Sequence, residues 1–117
     1  MNRKELGQML LDAGIERCVG FGNINPSDWA YTSLHEDSEG QVVEFSMEKS
    51  FSDGVAACIN YKPKNVGGEW YGDAIVNGMQ SSHCDDSNST FDNLPDAIDW
   101  AVEVAELEME AAELDED

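Results

Sequence analysis

Three segments of this chain alternate apolar and polar residues with a period of two, and that pattern restricts it to a fold containing a sheet with one solvated face. In VVEFSMEK (42–49), Val43, Phe45 and Met47 fall on one side while Glu44, Ser46 and Glu48 fall on the other. GVAACINYK (54–62) sets Val55, Ala57, Ile59 and Tyr61 in line. EWYGDAIVNGM (69–79) follows less cleanly, with Trp70, Ala74 and Val76 against Tyr71, Asp73, Ile75 and Asn77. The SDG and KPKNVGG runs between these segments suit short antiparallel connections, so a meander is expected. RCVGFGNI (17–24) and WAYTSLHE (29–36) read as two further strands, separated by the turn residues Asn25, Pro26 and Ser27. The polar DSEG (37–40) reads as a hairpin turn, its glycine able to take positive φ.

Helical signals flank the strands. Asn2 followed by Glu5 matches a capping box, and Leu6, Met9, Leu10 and Ala13 recur at helical spacing up to Gly14. HCDDSNSTFDN (83–93) has no period and reads as a polar loop. NLPDAIDWAVEVAELEMEAAEL then opens a long helix, with Asn93 as N-cap, Pro95 where its missing N–H does no harm, and Asp96 at the positive end of the dipole. With 117 residues, 41% of them hydrophobic, the chain can bury a core despite a formal charge of −19. The expectation is one α+β domain over 1–117: an antiparallel sheet of about four to five strands, a short N-terminal helix and a longer acidic C-terminal helix.

Charge then narrows the function classes. All six Lys and Arg (Arg3, Lys4, Arg17, Lys49, Lys62, Lys64) lie before position 65, and the fifteen carboxylates from there onward have no basic residue among them. Such a field opposes contact with nucleic-acid phosphates or anionic lipid and favours cationic partners. In MNRKELGQMLLDAGIERC the apolar run is broken by Gln8 and Asp12, so no signal peptide is expected, and no stretch reaches the length of a membrane span. Cys18, Cys58 and Cys84 are widely spaced and odd in number, which fits reduced thiols and a cytoplasmic location.

The sequence carries few catalytic signals. Ser46 and Lys49 fit SxxK, but that motif needs a helix start and these residues fall in an alternating strand. Gly20 and Gly22 begin a GxGxxG pattern that fails at Asn25. His83, Cys84, Asp85 and Asp86 are too close in sequence to converge easily on one metal. The stretch from Asp86 departs from a calcium loop at Phe91 and Ala97, where Gly and Glu are required. Glu44 and Glu48 form no distinguishable acid/base pair. The expectation is a non-enzyme without metal, cofactor or small-molecule substrate.

The strongest constellation lies in DWAVEVAELEMEAAELDED. Asp99, Glu103, Glu106, Glu110, Glu113 and Asp117 are spaced by alternating steps of four and three, which places them in one narrow helical stripe. Leu94, Ile98, Val102, Ala105, Met109 and Ala112 form a second stripe roughly a quarter turn away, expected to pack. The carboxylates recur about every 5 Å along the axis, against about 3.4 Å of axis per phosphate in one DNA strand. Asp73, Asp85, Asp86 and Asp92 are expected to widen the stripe into a surface. An ordinary solvated helix face has the same composition, but such faces usually mix signs.

In length, charge and this stripe the chain resembles the acidic DNA-mimic proteins, small folded inhibitors whose carboxylates imitate phosphates. They share no common fold or motif, so the likeness is one of surface chemistry. Within that group it looks most like the mimics that cover the histone-like protein HU. The resemblance implies a basic DNA-binding protein, an HU dimer, as partner, blocking of that partner's DNA binding, and association with the nucleoid through it. The basic grooves of a restriction, CRISPR or DNA-repair enzyme are alternative targets. A structural assembly module, pairing through its apolar seam, is the alternative of a different class.

Overall fold

A computed structural model describes residues 1–15, 18–20, 29–52, 54–63, 68–85 and 88–114, the side chains of 18–20 and 112–114 excepted. Along the chain run α1 (Arg3–Asp12), β1 (Cys18–Gly20), β2 (Trp29–Glu36), β3 (Val42–Ser52), β4 (Val55–Tyr61), β5 (Trp70–Val76), β6 (Met79–Gln80), β7 (Thr90–Phe91) and α2 (Leu94–Leu114). The sheet has the order β1-β2-β3-β4-β5-β6, with β7 also on the outer edge of β5. The α+β class, the short first helix and the long acidic last helix are as the sequence predicts.

From β2 to β6 the strands form the expected antiparallel meander. Three departures are seen, the first two with local physical reasons. β1 pairs with β2 in parallel, where an antiparallel sheet was expected. Periodicity reports which face a side chain takes and carries no information on strand direction. The predicted strand 69–79 breaks into β5 and β6 at Asn77 and Gly78, which hold φ of 52° and 84°. Asn-Gly supplies positive φ at both central positions of a two-residue hairpin turn, a signal the periodicity analysis overlooked. The loop over 83–93 likewise contains the short β7. Residues 21–28, with the end of the predicted first strand and its turn, lie outside the described residues.

Register defines two faces. Phe45 pairs with Tyr61 and Tyr61 with Trp70; Met47, Ile59 and Gly72 form the next row, Lys49, Ala57 and Ala74 the one after. This face lies under α2 and supplies much of the core, with the Tyr61 and Trp70 rings tilted together at 4.8 Å. On the opposite face the rows are Ser46–Asn60–Tyr71, Glu48–Cys58–Asp73 and Ser50–Ala56–Ile75.

Both helices begin as their sequences dictate. Asn2 accepts from the Glu5 amide at 2.8 Å while the Glu5 carboxylate accepts from the Asn2 amide, closing the capping box. Asn93 accepts from the Asp96 amide at 3.0 Å. In the 37–40 turn the Asp37 carboxylate accepts from the amides of Glu39 and Gln41, and Gly40 takes φ of 80°.

Candidate acidic interaction surface

Helix α2 packs on β4 and β5 through Leu94, Ala97, Ala101, Val104 and Ala105, all buried. This seat keeps Leu94 and Ala105 of the stripe expected from sequence but is otherwise rotated away from it. Ile98, Val102 and Met109 are only half-buried and flank it. Close approach is the cause: a Cβ on Gly72 would collide with the carbonyl oxygen of Ala97, so the helix backbone lies almost on β5 and only small side chains fit between. The larger apolar residues move to the margins.

That rotation changes where the carboxylates point. Asp99, Glu103, Glu106 and Glu110 are all exposed. At about 100° per residue they lie roughly half a turn from the centre of the packed face, where the sequence analysis expected a quarter turn. They therefore form the outer ridge of α2. Among the described residues no Lys or Arg lies within ion-pair distance of any of the four; the ion pairs are Arg3 with Glu36 at 2.7 Å, and His83 with Glu108 at 3.8 Å. Asp96, exposed in the first turn, extends the acidic surface toward the N-terminus of the helix. Glu113 falls within α2 with its side chain outside the description, and Asp117 and Asp86 lie outside the described residues.

The remaining predicted members divide. Asp85 and Asp92 are exposed, in the loop before α2. The Asp85 carboxylate accepts from the Asn88 amide at 3.1 Å, so it also holds the loop. This loop is anchored to the helix, since Trp100 donates its indole N–H to Ser89 Oγ at 3.1 Å. Asp73 corrects the expectation. It stands on the face of β5 away from α2 with only 7% of its surface exposed, and its Oδ1 has no hydrogen-bond partner. Burial raises its carboxyl from 3.8 to about 6, against a smaller opposing pull from Lys62. Such a group is unavailable to a docking partner and does not belong to the surface.

Glu108 is a carboxylate whose role the sequence analysis missed. It lies on the packed side of α2, its side chain 16% exposed, and accepts from the buried Ser81 hydroxyl at 2.5 Å. The signal was available: Glu108 follows Ala101 and Val104 at helical spacing and is out of phase with the acidic stripe.

Catalytic combinations find no geometric support among the described residues. Ser46 and Lys49 occupy opposite faces of β3, Ser46 donating to Asn60 Oδ1 at 2.7 Å and Lys49 lying over the Phe51 ring. The Cys58 thiol is pushed up to about 12 by burial, then by Asp73 and Glu48; burial also raises Cys84. Both are free thiols held in their unreactive form. No group of three described His, Cys, Asp or Glu could hold a metal ion. No described helix is long and apolar enough to cross a membrane. No protein-family model matches the chain, and no curated protein or solved structure matches it either.

Proposed function

We propose that this protein is a DNA mimic, which occupies the basic DNA-binding surface of a partner protein and so blocks access of DNA. The observation that carries the reading is the outer ridge of α2: Asp99, Glu103, Glu106 and Glu110 exposed in one row, opposite the packed face and, among the described residues, without Lys or Arg within ion-pair distance. Like charges three and four residues apart cost a helix roughly 0.2–0.5 kcal/mol per pair, and nothing within α2 offsets that cost. A row of Lys and Arg on a partner would.

The resemblance to DNA mimics makes an HU-type dimer the first partner to test. Proteins of that kind hold DNA largely through phosphate contacts, so a preformed carboxylate row can compete without presenting bases. Competition needs no chemistry, and it would place the protein in the cytoplasm, at the nucleoid through its partner.

The test is displacement of a labelled duplex from purified HU dimer, at two salt concentrations, by the wild-type protein and by the triple variant Glu103→Gln, Glu106→Gln, Glu110→Gln. The wild type should displace the duplex, and higher salt should weaken its own binding. The triple variant should bind roughly tenfold or more weakly, with a shallower salt slope, because it forgoes three ion pairs. Glutamine keeps the size and helix propensity of glutamate, so the fold should persist. Equal displacement by a folded triple variant would remove α2 from the binding surface. Failure on HU with displacement from a restriction, CRISPR or repair enzyme would keep the mechanism and change the partner.

A further inference from the structure

Asn77 is the one asparagine of the chain that a glycine follows. Its surroundings differ as much as its sequence does. The side chains of Asn2 and Asn93 accept from helix amides at 2.8 and 3.0 Å, and that of Asn60 accepts from the Ser46 hydroxyl at 2.7 Å. Asn88 accepts from the Asp85 amide and donates to the His83 carbonyl, each at 2.9 Å. Asn77 is the exception among the described asparagines, because no described group donates to its side-chain amide or accepts from it. The side-chain oxygen only rests on Gly54, where an added Cβ would come within 2.6 Å of it.

The peptide nitrogen that follows is equally free. The Asn77 amide donates to the Gly54 carbonyl at 2.8 Å, whereas the Gly78 amide donates to nothing among the described residues. Both residues are exposed, and a Cβ on Gly78 would meet no atom within 4 Å, so solvent reaches this nitrogen from open space. The hairpin that they close is also short. β6 has only Met79 and Gln80, paired with Val76 and Ile75, and an element held by so few bonds opens locally at little cost. Opening matters here, because the dihedrals of the turn must relax for the nitrogen to reach its own neighbour's side chain.

We propose that Asn77–Gly78 is a site of spontaneous deamidation in the folded protein, with water as the co-reactant. The Gly78 nitrogen gives up its proton to solvent and attacks Cγ of Asn77; the new C–N bond forms, the Cγ–Nδ2 bond breaks, and Nδ2 leaves as ammonia after taking a proton. A five-membered succinimide results. Water then opens the ring at either carbonyl: cleavage at Cγ leaves an aspartate at position 77, and cleavage at the main-chain carbonyl leaves isoaspartate, with the peptide routed through the side chain. Either product adds one carboxylate to a chain already at −19. Isoaspartate also lengthens the main chain by one carbon inside the turn, which disturbs the pairing of β5 with β6. None of the α2 carboxylates takes part, so the reaction is independent of the DNA-mimic reading.

The test is incubation of the intact protein in mildly acidic and mildly alkaline buffers made with heavy-oxygen water, followed by digestion in ordinary water and peptide mass spectrometry. Label records only events that precede digestion. The peptide carrying residue 77 should take up heavy oxygen, faster in the alkaline buffer because the nucleophile is the deprotonated nitrogen, and should separate into aspartate and isoaspartate forms. It should lead the peptide carrying Asn88 by roughly tenfold or more, since Asn88 must first break its own hydrogen bonds. Asn77→Gly keeps a residue suited to positive φ in the turn and should abolish the label there, with thermal melting to confirm the fold. No label at position 77 in the folded protein overturns the proposal, and so does label that enters only when the chain is unfolded in urea, because the fold would then shield the turn. Equal labelling of Asn77 and Asn88 overturns it as well.

Discussion

Asp73 is the residue at which sequence pattern and physical environment part most sharply. It occupies the polar phase of its strand, in the row Glu48–Cys58–Asp73, yet it is buried with one oxygen unpartnered. Alternation distinguishes one face of a sheet from the other, and it is silent on how deeply each position of the polar face is covered. Because the folded carboxyl titrates near 6 instead of 3.8, its protonated form suits the fold and its ionised form does not. Neither folded nor unfolded chain carries the charge below about pH 4, so there the penalty is absent; it grows as pH rises from about 4 to 6 and is complete above. The full displacement corresponds to at most about 3 kcal/mol, and solvent screening reduces this to about 1–2 kcal/mol. Asp73→Asn should therefore raise Tm relative to the wild type by an amount that is smallest near pH 4 and levels off near pH 7. Melting both proteins across that range checks it. A constant difference would mean that Asp73 titrates as an ordinary surface carboxylate.

At the scale of elements, the strands β2 to β5 and the starts of both helices were legible because each rests on a local signal: period two, a turn residue or a cap. What escaped is set by contacts between elements. The parallel pairing of β1 is one case. The rotation of α2 is the more consequential one, since hydrophobicity alone favours seating Ile98, Val102 and Met109, whereas the helix seats Ala97, Ala101 and Val104. Gly72 on β5 decides this by admitting the Ala97 carbonyl to contact with the strand. Gly72→Ala should thus destabilise the protein by about 3 kcal/mol or more, because the obstacle is backbone that can yield only if α2 lifts. By contrast Gly7→Ala, with open space around it, should stabilise α1 by up to about 1 kcal/mol. Chemical denaturation of the two variants beside the wild type compares them; equal effects would mean that α2 does not sit tightly on β5. The same rotation sends Asp99, Glu103, Glu106 and Glu110 to the outside of the molecule, so that their sharing one row was readable in the sequence, while the row's direction and the burial of Asp73 were not.

For the molecule as a whole, the dominant fact is charge that its own side chains do not neutralise. Twenty-five carboxylates face six Lys and Arg, and fifteen of those carboxylates follow the last basic residue. Self-repulsion of this kind destabilises the compact state, and the repulsion is longest in range at low salt, where the Debye length approaches 30 Å at about 0.01 M and falls to about 10 Å at about 0.1 M. Tm should therefore rise with sodium chloride over that interval and then flatten. The triple glutamine variant of α2 should melt higher than the wild type at low salt, by a few tenths of a kcal/mol for each like-charge pair relieved, and the gap should close as salt rises. Binding to a basic partner moves the other way, weakening as the same ions compete for the same charges. The two responses share one cause, a large excess of carboxylates over Lys and Arg. A Tm independent of salt would show those carboxylates to be compensated within the fold, and the outer ridge of α2 would then have no unmet charge to offer a partner.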